Sequence, residues 1–246
     1  VNGKTLKIIA LFTMIIDHFG AAILGSMILY MGRRDLVDIY YLTRHIGRIA
    51  FPIYIFLLVE GFEHTRNFWK YTVSMAFFAI LSEVPFDLAL GYGEFPYFDS
   101  QNVFITLFLS LICLYMIRKI RVKYLISNPA RYILIVVAVA IFGAMAYYVR
   151  CDYKYGGVLA VVATYYVGLY TREGMSKLKR NALMIGICCS VLFLYSHTES
   201  YAFLAGPLVI FYNGERGNIR HKLLYYAMYP AHLLLFGCIL RIKGIF

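Results

Sequence analysis

Between Lys7 and Tyr30 the sequence stays apolar for longer than a soluble helix needs, and two ionisable residues, Asp17 and His18, interrupt it mid-run. A helix rises 1.5 Å per residue, so His18 lies about 16 Å beyond Lys7 along the axis. That is close to half of a hydrocarbon core of about 30 Å. Ionisable groups at such depth are expensive and by default mark a functional site. Eleven positions separate Lys7 from His18, which at 100° per residue returns to nearly the same face. One helix face therefore carries a cation near the membrane edge and an imidazole near its middle.

Similar apolar runs recur at 6–30, 46–62, 70–90, 102–117, 131–149, 156–170, 182–196, 201–213 and 223–241. The chain is 61% hydrophobic and 15% charged, with a mean hydropathy of +0.69. A soluble fold has no means of hiding that much apolar surface, so lipid must solvate part of it. A transmembrane barrel would show short alternating segments instead. The expected fold is all-α: a polytopic helical membrane protein of nine, at most ten, transmembrane helices, forming a single integral membrane domain over residues 1–246. The first run is too long, and lacks a cleavage site, to read as a signal peptide. The run at 201–213 is short and carries Gly206-Pro207, so it is expected to tilt, break or re-enter.

The net charge of +11 points to membrane topology rather than to nucleic acid, because its distribution is lopsided. Sixteen of the 24 Lys and Arg residues fall on one side of the spans, among them Lys4, Lys7, Arg118, Lys119, Lys179, Arg180 and Arg220. Seven fall on the other, including Arg33, Arg44, Arg150 and Arg241, with Arg48 inside a span. The positive-inside rule then makes the N-terminus cytoplasmic. The cation-free loop Gly91–Asn102 goes outside, where its aromatic residues form an interfacial belt or line the mouth of a site. The five cysteines follow no metal or redox spacing and read as packing residues. No metal is expected.

The ionisable residues in or beside the spans are Asp17, His18, Arg48, Glu60, Glu83, Asp87 and His232. Glu83 and Asp87 sit i,i+4 around Pro85, two carboxylates on one face needing a proton or a cation between them. Neighbouring residues on a helix point about 100° apart, so Asp17 and His18 do not form a direct dyad. Asp17 is expected to pair with another helix, Arg48 being the best candidate, leaving His18 free to act as a base. Tyr225, Tyr229 and His232 share a face of the last span. Asp152 opens a segment assigned to the outer side. A structural ion-pair network accounts for Glu60, Glu83 and Asp87 equally well.

At these residues the chain resembles the TraX family, named for a conjugation protein associated with N-terminal acetylation of pilin. The matching stretches are Met14–His18, Gly47–Phe62, Ser82–Asp87, Gln101–Phe104, Asp152-Tyr153 with Gly157–Leu159, and Tyr229–Leu233, in order along nearly the whole chain. The family is in turn similar to wider transmembrane acyltransferases, whose first helix carries an Arg, ten residues and a catalytic His. Here that pattern reads Lys7, ten residues, His18. Lys keeps the charge and loses the bidentate phosphate geometry of Arg.

The resemblance implies an acyl-coenzyme A donor, acetyl-coenzyme A in the first instance, in a bacterial cytoplasmic (inner) membrane. The expected roles are His18 and Asp17 as catalytic residues and Lys7 and Arg48 as donor-binding residues. Asn102, Tyr229, His232, Glu83, Asp87, Glu60 and Asp152 make up the oxyanion or acceptor side. The acceptor is a hydroxyl or amine on a small molecule, lipid or peptide. The competing reading is a proton-coupled transporter with Asp17, Glu83 and Asp87 as relay groups, against which stands the lack of inverted repeats.

Overall fold

The computed structural model describes residues 1–123, 129–218 and 222–245. Among these the chain is helical, and one isolated bridge between Gln101 and Cys151 ties two loops together. The helices are α1 Gly3–His18, α2 Gly25–Met31, α3 Val37–Gly47, α4 Ala50–His64, α5 Phe68–Leu90, α6 Val103–Lys123, α7 Pro129–Tyr148, α8 Lys154–Tyr170, α9 Lys177–Tyr195, α10 Gly206–Ile210 and α11 Lys222–Ile242. Side-chain caps start several of them: Asn2 accepts from the Thr5 amide at 3.0 Å and Asn67 from the Lys70 amide at 2.9 Å.

Among the described residues, seven helical stretches are long and apolar enough to cross a bilayer: Gly3–Met31, Arg34–His64, Phe68–Leu90, Val103–Lys123, Pro129–Tyr148, Lys177–Tyr195 and Leu223–Ile242. Two of the nine expected runs fall short of that length. The run at 156–170 is α8, of 17 residues. The run at 201–213 is a 3₁₀ stretch, His197–Ala205, followed by the five-residue α10. Pro207, at the start of α10, fits the first turn of a helix, where its missing N–H leaves no bond broken.

The second crossing also begins earlier than expected. The segment before Ile46 is α3, so Arg44 lies inside a helical run rather than in an outer loop. Between α3 and α4 the bonds tighten to i→i−3, from Arg48 N to His45 O and from Ile49 N to Ile46 O. Pro52 explains the break, since its ring has no N–H to donate and crowds the carbonyl four residues back, that of Arg48. Arg220, counted among the cytoplasmic cations, lies outside the described residues.

Helix α4 is the centre of the bundle. Phe51, Ile53, Ile55, Phe56, Leu58, Val59 and Phe62 are buried around its whole circumference, as expected of a core helix. Helices α1, α6, α8 and α9 pack against it, while α5 pairs with α11. Helix α7 fully buries only Ala138, Gly143 and Ala146, packs Ile135, Val139 and Phe142 partly against the core, and turns Ile133, Val136, Val137 and Ile141 outward. Gly237 lets α11 approach α5 closely, since a Cβ there would come 2.8 Å from the Leu88 side chain. At one end of α4, Glu60 pairs with Arg180 at 3.2 Å, and Glu63 with Arg118 at 2.7 Å and Arg172 at 3.4 Å.

Candidate active site

Helix α1 buries Leu6, Ala10, Met14 and His18 at four-residue spacing. Directly after His18 the helix widens into a π-helical turn, Phe19–Leu24, before resuming as α2. Such turns often accompany functional sites. His18 is 8% exposed, and its Nδ1 lies 2.7 Å from Nε2 of His232 on α11. The two rings lie 11° from parallel with centroids 5.0 Å apart. With the nitrogens that close, the rings meet edge to edge in nearly one plane. Nδ1 of His232 is 2.6 Å from the carbonyl of Met228, one turn earlier on α11. Tyr229 sits edge-on to both imidazoles, at 5.5 and 5.7 Å. Phe104 packs on Tyr229 at 4.9 Å and Phe236 on His232 at 5.7 Å.

Asp17 faces away from this pair, and its partner is Arg44 rather than the expected Arg48. Arg44 Nη1 is 2.5 Å from Asp17 Oδ2. The reason is the longer helical run: α3 lies beside α1 and brings Arg44 level with Asp17. Gly47 makes room, because a Cβ there would overlap the Asp17 side chain. Arg48 instead donates to Glu199 at 2.8 Å and to the Tyr153 hydroxyl at 3.2 Å. Tyr153 in turn stacks on Phe51 at 3.7 Å. Asp152 stands beside this group in the turn before α8. Burial raises its carboxyl above the ordinary range, with Arg48 pulling it back. Held in this way, and at the opposite end of α4 from Glu60, Arg48 is not available to bind donor phosphates beside Lys7.

The remaining expected site residues divide. Glu83 is bonded by the Asn102 amide, which also donates to the Ala79 carbonyl at 2.8 Å. The Asn102 oxygen accepts from the Phe104 amide at 3.0 Å. Asn102 therefore fastens the start of α6 to α5, and its donors are already used rather than aimed at an oxyanion. Asp87 accepts from the Tyr97 amide at 3.2 Å, so the i,i+4 carboxylates are served separately. Glu60 belongs to the ion pairs at the far end of α4 and is absent from the site. Lys7 is half-buried on α1.

Cations gather where α1 begins. The Gly3 amide bonds the Glu215 carbonyl at 2.8 Å, the backbone of Arg216 packs on Gly3, and Lys177 Nζ bonds the Asn213 carbonyl at 2.9 Å. Lys4, Lys7, Lys177 and Arg216 thus surround one helix end. From there a file of rings leads inward, Tyr226 to Phe104 at 6.0 Å, then Tyr229, then His18. Among the described residues no group of three or more His, Cys, Asp or Glu is arranged to hold a metal.

Long apolar helices around a hydrogen-bonded pair of buried histidines define a polytopic membrane protein with an ionisable core. The chain belongs to the TraX family, whose model, described as TraX protein, matches residues 2–240. It is 27% identical over 253 residues to the "Probable fimbrial assembly protein FimC, serogroup H1" of Dichelobacter nodosus, covering 94% of this chain and 92% of that one. No solved structure matches it.

Sequence reasoning missed Arg44, Glu199 and Tyr153. Arg44 and Arg48 are spaced i,i+4, a signal that becomes visible once the helix is extended back through residue 44. Nothing local marks Glu199, whose partner is 151 positions away.

Proposed function

We propose that this protein is an integral membrane acyltransferase that moves an acyl group, acetyl first among the candidates, from coenzyme A to a hydroxyl or amine acceptor. The observation that carries the reading is His18: a buried imidazole, bonded to a second imidazole and, among the described residues, to no carboxylate, reached by a file of rings from a cluster of cations. Orientation is part of the proposal. In this reading the chain crosses nine times, α8 and the 197–210 stretch included, and the lopsided Lys and Arg distribution then puts the N-terminus and the Lys4, Lys7, Lys177 and Arg216 cluster in the cytoplasm of a bacterial cell, where coenzyme A is found.

In this reading those cations hold the nucleotide phosphates, and the thioester extends along α1 toward His18. His18 takes the acceptor's proton as its heteroatom attacks the thioester carbonyl. The C–S bond then breaks and the proton passes to the departing thiolate. The Tyr229 hydroxyl is the candidate donor to the oxyanion, in place of Asn102 and Arg48. The acceptor is a small molecule, lipid or peptide, and the fimbrial assembly name of the D. nodosus relative favours a peptide.

Calorimetry with coenzyme A tests the donor half. The parent and His18→Ala should bind it alike, whereas Lys7→Ala should bind more weakly and Lys7→Arg should not. If the parent binds no coenzyme A and loses solute uptake on changing Asp17 or Glu83, the protein is a carrier and the proposal falls.

A further inference from the structure

The hydrogen bonds around His18 form a chain with one fixed end. The Met228 carbonyl has no proton to give, so His232 Nδ1, 2.6 Å away, must carry the hydrogen. In a neutral ring His232 Nε2 is then the bare nitrogen, and across the 2.7 Å contact it accepts. The donor must be His18 Nδ1–H. That leaves His18 Nε2 with the free lone pair, and no described protein group hydrogen-bonds to it.

We propose that His232 is the positioning residue of this site: it fixes His18 as the Nδ1–H tautomer and shares the proton that His18 Nε2 takes up. The chemistry rests on the acyl-transfer reading. When the acceptor's proton moves to Nε2, the Nδ1 proton can pass across the bond to His232 Nε2, and the charge spreads over two rings. His232 then keeps both of its protons, one facing Met228 O and one facing His18. Return of the Nε2 proton to the thiolate restores the starting tautomers, so protons balance over the cycle.

Serine hydrolases assign the same orienting task to a carboxylate. Here the position belongs to an imidazole, which suits a site walled by Tyr229, Phe104 and Phe236, where a lone carboxylate would be costly. Two nitrogens 2.7 Å apart are also too close to share an ion at about 2.0–2.1 Å from each in a tetrahedral set. The pair is a hydrogen bond rather than half of a metal site.

Nitrogen NMR of the full chain, labelled with ¹⁵N-histidine in lipid nanodiscs, reads the tautomer without any activity. The signals lost in His18→Ala identify that ring. The expected spectrum has a protonated Nδ1 and an unprotonated Nε2. An Nε2–H form or a doubly protonated ring at neutral pH overturns the proposal. His232→Leu should switch or mix the tautomer and lower kcat by about 10²-fold or more, with KM for the donor little changed. His232→Gln, whose side-chain oxygen still accepts from Nδ1–H, should recover much of both. A His232→Leu protein with parental tautomer and kcat overturns the inference. An inactive parent with the expected tautomer overturns the acyl-transfer reading alone.

Discussion

Arg48 and Glu199 give the most quantitative stability prediction. Their side chains are 17% and 4% exposed, and among the described residues Arg48 is the only side-chain donor to the Glu199 carboxylate, whose second oxygen has none. Arg48→Leu strands that carboxylate, which costs about 3–5 kcal/mol, or roughly 10²–10⁴ in the folding equilibrium. Adding Glu199→Gln removes the stranded charge and should recover most of the loss. About 1 kcal/mol should persist from the missing bond to Tyr153. Thermal melts in detergent of the parent, both single variants and the double variant measure the loss. A parental melting temperature in Arg48→Leu, or strictly additive losses in the double variant, would refute the pairing argument.

Other expectations follow from the same geometry. Gly47→Ala pushes a methyl group into Asp17 and should cost at least about 1–3 kcal/mol by overpacking, read by the same melts. Glu60→Gln should lower stability without changing transfer per folded molecule, since that residue ties α4 to Arg180 and stands 3.8 Å from His64, away from the site. For topology, with the exposed Cys238 and the four buried native cysteines replaced, single cysteines near Lys119 and Lys179 should resist an impermeant thiol reagent in intact cells. One near Glu94 should react. Labelling of the first two from outside would reverse the proposed orientation.

The sequence made the apolar helices and the His18 face legible because both are local periodic signals. The i+7 step from Tyr225 to His232 likewise placed the imidazole on a face with Tyr229. What stayed hidden was which charges meet. Asp17 was assigned to Arg48 because Arg44 seemed to lie beyond the span, and only the helical continuation through α3 brings Arg44 alongside. Asn102 looked like a free donor, and Glu83 and Asp87 like a coupled pair. Asn102 donates instead to Glu83, 19 positions away, and to the Ala79 carbonyl, and Asp87 accepts from the Tyr97 amide, partners that no local side-chain pattern announces. Gly206-Pro207 marks the short run at 201–213 as one that breaks, and the chain does break there, into a 3₁₀ stretch and one short helical turn.

The central claim is that His18 catalyses acyl transfer from coenzyme A. It is tested most directly by following free thiol release from acetyl-coenzyme A in nanodiscs, for the parent and for His18→Ala, with membrane extract from the same cells as the source of acceptor. The parent should release thiol steadily, and only with the extract, whereas His18→Ala should lose about 10²–10⁴-fold in rate at unchanged coenzyme A affinity. Equal rates from parent and variant would contradict it.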